Sequence, residues 1–251
     1  MYRATTLQQT QATCYTRPDM ESIAQDAKKL FGIELPESAA ASFLHFSELL
    51  QKGNAKTNLT AIKDPEEIAT KHFLDSLSVL PHLPVGTKKI IDIGAGAGFP
   101  SIPLAIARTD IEFILLDAIE KKVTFLSESA RALGLTNVKT LHGRAEDVGR
   151  REELRASFDV ALARAVARLP ILCEYALPLL RVGGILIAMK GTTEDPADAQ
   201  NALATLGGVI KETHSISLHH ATERVLLIIE KVSPTPDTYP RRAGMPEKRP
   251  L

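Results

Sequence analysis

The run Ile90-Ile91-Asp92-Ile93-Gly94-Ala95-Gly96-Ala97-Gly98-Phe99 constrains this chain more than any other stretch: an apolar segment of strand length breaks into a glycine-rich turn and then into a helical pattern. Glycine admits positive φ and lets a backbone approach a ligand closely. A strand that hands such a turn to a helix is the unit with which doubly wound α/β sheets hold nucleotides at their carboxyl edge. The dinucleotide form of the turn, GxGxxG, needs Gly or Ala at position 99, where this chain has Phe. Ile114-Leu115-Leu116-Asp117 then puts an acid at the end of the next strand, at about the interval where a carboxylate accepts hydrogen bonds from ribose hydroxyls. Asp117 also suits the N-cap of a helix starting near Ile119, a role that does not exclude the first.

Past Gly86, short apolar runs at 88–93, 111–116, 138–141, 158–163 and 185–189 alternate with helical segments, which predicts a parallel, doubly wound sheet. The stretch 209–232 has no room for a crossover helix, so its two extended runs are expected as an antiparallel hairpin that makes the sheet mixed and seven-stranded. Gly134 and Gly183-Gly184 are expected just past helix ends. Before Gly86 the periodicity is helical: 21–31, a segment from Pro36 with Phe43, Phe46, Leu49 and Leu50 on one stripe, and a third opened by Asp64-Pro65-Glu66-Glu67 as a capping box. The resulting division is a polar tail (1–18), an N-terminal helical subdomain (19–85), an α/β domain (86–232) and a basic, Pro-rich extended tail (233–251).

With 30 Lys+Arg against 30 Asp+Glu and a pI near 7.1, no global field captures nucleic acid, so any such contact is local. Arg144, Arg168, Lys190, Arg241 and Arg242 are the candidates for it, alongside Arg150, Arg151, Arg155, Lys248 and Arg249. An aromatic fraction of 5% without Trp favours backbone and shape recognition of structured RNA over stacking on single strands. Cys14 and Cys173 are too distant and too few for a disulfide framework or a Cys-rich zinc site, and Cys173 in Ile171-Leu172-Cys173-Glu174 reads as a core residue. No metal site is expected, His72 and Asp75 lacking a third ligand nearby. Neither a signal peptide nor a membrane span is expected, which points to the cytoplasm.

Read as GxGxG preceded by Asp92, the turn resembles the first motif of class I S-adenosylmethionine (SAM) dependent methyltransferases, with their Rossmann-like sheet. The loop His142-Gly143-Arg144-Ala145-Glu146-Asp147 would then border the adenine, where Glu146 or its backbone can read the amino group; a solvated surface carboxylate is the competing reading. Together with Asn58-Leu59-Thr60, His72-Phe73-Leu74-Asp75-Ser76, Phe99-Pro100, Phe125-Leu126, Arg164-Ala165, Lys190-Gly191 and Tyr239-Pro240-Arg241-Arg242-Ala243-Gly244, these residues make the chain similar to the bacterial ribosomal RNA small subunit methyltransferase G family. The resemblance implies methylation of N7 of a guanine in 16S ribosomal RNA with SAM. The partner would be that RNA, free or in the small ribosomal subunit or its precursor. It implies cofactor contacts at Gly94, Phe99, Ala145, Glu146 and Arg164, with Asp117 on the ribose side and Gly96 and Gly98 completing the turn. The chain departs from the family pattern at Phe99, Ser101, Lys71, Lys122, Ala163 and Val166, where Leu, Gly, Arg, Arg, Ser and Phe are usual; Ser101 bears on how closely the first helix packs.

Methyl transfer from a sulfonium is an in-line displacement that positioning can drive, and N7 already presents a lone pair, so no general base is assigned. After the fourth strand the chain has Ala163-Arg164-Ala165-Val166 and not the acid-Pro-Pro-aromatic motif of amine methylation. Arg164 can orient a carboxylate or phosphate, or form an ion pair at the strand end. Two other readings accompany the main one: a methyltransferase of another substrate, and a non-catalytic SAM- or RNA-binding assembly factor.

Overall fold

Strands β1 (Lys89–Ile93), β2 (Glu112–Asp117), β3 (Val138–His142), β4 (Phe158–Arg164), β5 (Leu180–Lys190), β6 (Gly208–Ile216) and β7 (Arg224–Lys231) pair in one sheet ordered β3-β2-β1-β4-β5-β7-β6. The structure is a computed structural model that describes residues 20–192, 194–218 and 223–251; the tail expected over 1–18 lies outside them. β1 to β5 run parallel, while β7 pairs antiparallel with both β5 and β6, which is the expected mixed edge. The apolar sequences of β1 and β2, KIIDI and EFILLD, are buried after their first residue because helices cover both faces.

One face carries α5 (Ser101–Ala107), α6 (Glu120–Ala132) and the N-terminal helices α1 (Met20–Phe31) and α2 (Ala39–Asn54). A further helix on this side starts as α3 (Pro65–Ile68), widens through a π-helical turn (Ala69–Leu74) and finishes as α4 (Asp75–Leu77). Asp64 Oδ1 accepts the Glu67 N–H at 2.9 Å, one half of the predicted capping box, while Glu67 Oε1 accepts from Lys71 Nζ. These N-terminal helices close no separate core: Phe43, Phe46 and Phe73 pack in one cluster with Ile90, Phe113 and Leu115 of the sheet. The opposite face carries α7 (Ala145–Val148), α8 (Leu169–Ala176) and α9 (Gln200–Leu206) over Ile91, Phe158, Leu186 and Leu227.

Gly134 follows α6 with φ +67°, as a helix stop should. Gly183 and Gly184 instead lie inside β5, which starts earlier than the apolar run suggested. The reason is local: β4 and β5 slip register between Phe158 and Val160, and a Cβ on Gly184 would stand 2.9 Å from the Asp159 carbonyl.

The segment 233–251 does not hang free as its Pro and Arg content predicts. Arg155, expected among RNA contacts, donates to the carbonyls of Thr235, Pro236 and Tyr239 and so anchors this segment to the loop before β4. It ends in the short helix α10 (Met245–Lys248), against the side of the sheet that carries α8.

Candidate functional site

At the carboxyl ends of β1, β2 and β3, a cavity of about 510 Å³ including its mouth is lined by Gly94, Asp117, Ala118, Gly143, Arg144, Ala145, Glu146, Val166, Tyr175 and Glu247, among others. This is where an open α/β sheet offers a crevice, because the chain leaves β1 and β4 toward opposite faces. Gly94 has φ +69°, and a Cβ there would meet Val166 Cγ2 at 2.9 Å. Asp117 is buried, with Oδ2 accepting the Gly96 N–H at 2.9 Å and Oδ1 the Ile119 N–H at 2.8 Å. A carboxylate has about four lone-pair sites, so two remain for a ligand's hydroxyls. The predicted ribose role and a local turn-capping role thus share one side chain.

The glycine turn has two sides. Its second half, Gly98 and Phe99, faces the N-terminal helices: a Cβ on Gly98 would meet Ile102 at 2.7 Å and Phe46 at 3.0 Å, and the Phe99 ring packs on Phe46, Phe73 and His72. Phe99, expected as a cofactor contact, therefore supports the turn through its side chain and does not line the cavity. Below the turn, Asp92 is 1% exposed and neither carboxylate oxygen has a hydrogen-bond partner. Burial pushes this carboxyl up to about 7; Asp117 adds to the shift, while nearby Ser101 and Arg164 offset part of it. Ser101 is accommodated fully buried, with its own Oγ unpartnered.

A second cleft, about 1020 Å³ with its open mouth, adjoins the first at Val166 and is lined by Lys71, His72, Arg164, Arg168, Met189, Lys190, Glu194 and Arg224 among others. Arg164 points here and not into the smaller cavity: its Nη1 donates to Asp75 Oδ2 and the Lys71 carbonyl, both at 3.0 Å, and its Nη2 lies 3.3 Å from His72 Nδ1. The ion-pair reading of Arg164 is thus realised, with a partner from the π-helical turn. Such a turn carries one residue more than an α-helical one, and here the Asp75 N–H reaches the Thr70 carbonyl.

His72 Nε2 lies 2.8 Å from Thr60 Oγ1, and its Nδ1 stands 3.2 Å from the Lys71 carbonyl and 3.3 Å from Arg164 Nη2. Burial, then Arg164, pushes the His72 imidazole down to about 4, which keeps it neutral, stacked on Phe99 at 4.5 Å. His72 and Asp75 are joined through Arg164.

Sequence reasoning missed Tyr175 and Glu247 in the smaller cavity. Only the family-like Tyr239 to Gly244 stretch hinted that the C-terminal segment matters here. Glu146, predicted to read an adenine, is buried and accepts the Gly244 N–H at 2.8 Å. Arg241, predicted as an RNA contact, turns inward to Glu174 of α8. Its guanidinium satisfies a fully buried carboxylate, so it is spent on structure. Arg168 and Lys190 do border the larger cleft, paired with Asp198 and Glu194. Arg144 lines the smaller cavity from an exposed position, and Arg242 is exposed on the C-terminal segment.

A family model described as rRNA small subunit methyltransferase G matches residues 39–226. The ribosomal RNA small subunit methyltransferase G of Exiguobacterium sp. is 46% identical over 235 residues, which cover 92% of this chain and 99% of that protein. Its counterpart in Clostridium perfringens is 44% identical over 228 residues, 88% of this chain and 94% of that protein. Among solved structures, the precorrin-6y C5,15-methyltransferase of Geobacter metallireducens superposes with a TM-score of 0.51 at 13% identity, over 70% of this chain and 92% of its own.

Proposed function

The chain belongs to the rRNA small subunit methyltransferase G family, and on that premise we propose that it transfers a methyl group from SAM to N7 of a guanine in 16S ribosomal RNA. Its mixed sheet is the Rossmann-like fold of class I SAM-dependent methyltransferases. The observation that carries the reading is the pair of clefts meeting at Val166, one suited to an adenosine and the other lined by five cationic side chains.

The smaller cavity fits the cofactor on three counts. Gly94 lines the cavity with backbone alone because Val166 fills the place of a Cβ, Asp117 keeps free lone pairs facing the cavity, and Asp92 supplies an unpartnered buried carboxylate beneath the turn. When bound, SAM supplies a methyl group on a positively charged sulfur. Asp117 is assigned to the ribose, the backbone of Gly94 and Gly96 to close approach, and Ala145 and Glu146 to the adenine edge. Phe99 and Gly98 act by holding the turn.

In the larger cleft, Lys71, Arg168, Lys190 and Arg224 are assigned to phosphates of the RNA, as free RNA or in the small subunit or its precursor. Each already has an acidic neighbour, which an RNA phosphate must outcompete. RNA affinity therefore depends on salt through few contacts. Glu194 is the carboxylate that lines this cleft among the described residues, and it is suited to face the positive charge that arrives on the purine. Arg164 is held back by Asp75, which keeps its charge from opposing that development. A ribosomal substrate supports a cytoplasmic location; separately, no helix among the described residues is long and apolar enough to cross a membrane.

The test is methyl transfer from labelled SAM to 16S ribosomal RNA and to small subunits lacking the modification, followed by digestion to nucleosides. Labelled 7-methylguanosine is expected. A different methylated nucleoside would replace the proposed chemistry, and no transfer to either substrate would favour the assembly-factor reading.

A further inference from the structure

The far edge of the sheet brings together three residues that sequence distance keeps apart. In β6, Gly208 and Ile210 pair with Lys231 and Ile229, and the Ile229 side chain belongs to the core under α8 and α9. Between Ile210 and Glu212 the register slips by one residue. A bulge of this kind turns the following residues to the other face. Glu212 and His214 accordingly pair with Ile228 and Leu226, whose side chains lie in the core of the N-terminal helices. On that same side the turn Leu80–His82 leaves the helical layer and presents His82.

The three side chains converge. His214 Nε2 lies 2.7 Å from Glu212 Oε2, and the His82 and His214 rings stand 4.2 Å apart at 40°. One donor atom from each residue falls within 4.8 Å of the others. A hydrogen-bonded surface pair explains Glu212 with His214 but leaves His82 and its ring contact unaccounted for. Two imidazoles and one carboxylate, by contrast, are the ligand set with which zinc sites keep a fourth position for water. Tetrahedral donors around one zinc ion, each about 2.0–2.2 Å from the metal, lie roughly 3.3–3.6 Å from each other. Side-chain rotations that bring the donors together by roughly an ångström meet that spacing, and all three side chains are at least partly exposed. None of the three lines either cleft.

We propose that His82, Glu212 and His214 bind one Zn²⁺ ion, joining the bulged edge strand β6 to the N-terminal helical layer. The ion takes a ring-nitrogen lone pair from each histidine and one carboxylate oxygen, and the proton between His214 Nε2 and Glu212 moves to Nδ1 or to solvent. This departs from the expectation of no metal site, which considered only residues close in sequence. The ion would cross-link an edge strand that otherwise ends the sheet with unpaired backbone groups.

The test uses the full, untagged chain stripped with chelator and titrated with ZnCl₂ by calorimetry, with thermal melting in parallel. One ion per chain is expected, with a rise in Tm on saturation. His82→Ala, His214→Ala and Glu212→Gln should each weaken binding about tenfold or more and abolish the rise, while His45→Ala, an exposed histidine on α2, should change neither. If an alanine variant fails to fold by circular dichroism, His82→Gln and His214→Gln replace it. Absence of saturable one-to-one binding, or binding unchanged in the His82 and His214 variants, would overturn the proposal.

Discussion

Arg241 closes on Glu174 across a sequence separation of 67 residues, with Nη2 2.5 Å from Oε2, Nε 2.9 Å from Oε1, and its own backbone N–H 2.8 Å from Oε1. Glu174 sits in α8 without exposure to solvent. This contact, with Glu146 accepting from Gly244, holds the C-terminal segment as a wall beside the proposed cofactor cavity.

Arg241→Ala should therefore cost both stability and cofactor affinity. Removing one partner of a buried pair strands a charge, which costs about 3 kcal/mol or more. Denaturant melts should show that loss, and calorimetry should show weaker SAM binding at a temperature where the variant is still folded. Arg241→Lys should recover part of the stability, since it restores the charge without the bidentate geometry. If RNA affinity fell while stability and SAM affinity held, Arg241 would return to the RNA surface.

Asp117 serves two backbone donors and, on the present reading, a ribose. Asp117→Ala should weaken SAM binding by about 1.5–3 kcal/mol. It should also lower stability by about 1–3 kcal/mol, because the N–H groups of Gly96 and Ile119 lose their acceptor. Loss of stability with an unchanged cofactor Kd would assign Asp117 to the turn alone.

How much of this was legible in the sequence follows from contact range. The glycine turn, the strand-helix alternation, the Asp64 cap and the terminal hairpin are set by neighbours a few residues apart, so periodicity and turn chemistry reach them. Arg155, Arg241 and Gly244 were read as surface or tail because charge and proline content describe exposure, while their partners are set by tertiary packing. Gly183 and Gly184 misled for a related reason: glycine marks a helix stop and a strand bulge alike, and only the nearby Asp159 carbonyl distinguishes the two. Asp75 and His72 are separated from Arg164 by about ninety residues, and no local pattern announces that they share one network.

Asp92 gives the protein a stability that falls with rising pH. Its carboxyl titrates near 3.8 in the unfolded chain and about 7 when buried, so between these values the native state holds a proton that the unfolded chain has released. Stability then drops as pH climbs through that window. Asp92→Asn removes the penalty, and its advantage over wild type should be on the order of 1–4 kcal/mol above about pH 7 and vanish below about pH 4. Denaturant unfolding of both proteins across this range measures it. Parallel pH profiles would mean that the carboxylate finds a partner when folded.

The last prediction concerns the reaction itself. N7 of guanine attacks as a free lone pair, so the chain need not remove a proton, and the one imidazole that lines the larger cleft among the described residues, His72, is pushed down to about 4 by burial and then by Arg164. Single-turnover methylation with saturating SAM and RNA should thus be nearly flat across neutral pH. Cys173 gives the complementary test. It is wholly buried in α8, and burial pushes its thiol up to about 12, so no thiolate is available to attack a pyrimidine ring. Cys173→Ala should keep the methylation rate if the fold survives, with a stability loss of about 1 kcal/mol from the small cavity. A bell-shaped rate profile near neutrality would require a titrating group that the proposed mechanism lacks. Loss of activity in a well-folded Cys173→Ala protein, with 5-methylcytidine as the wild-type product, would replace in-line transfer to N7 with covalent catalysis.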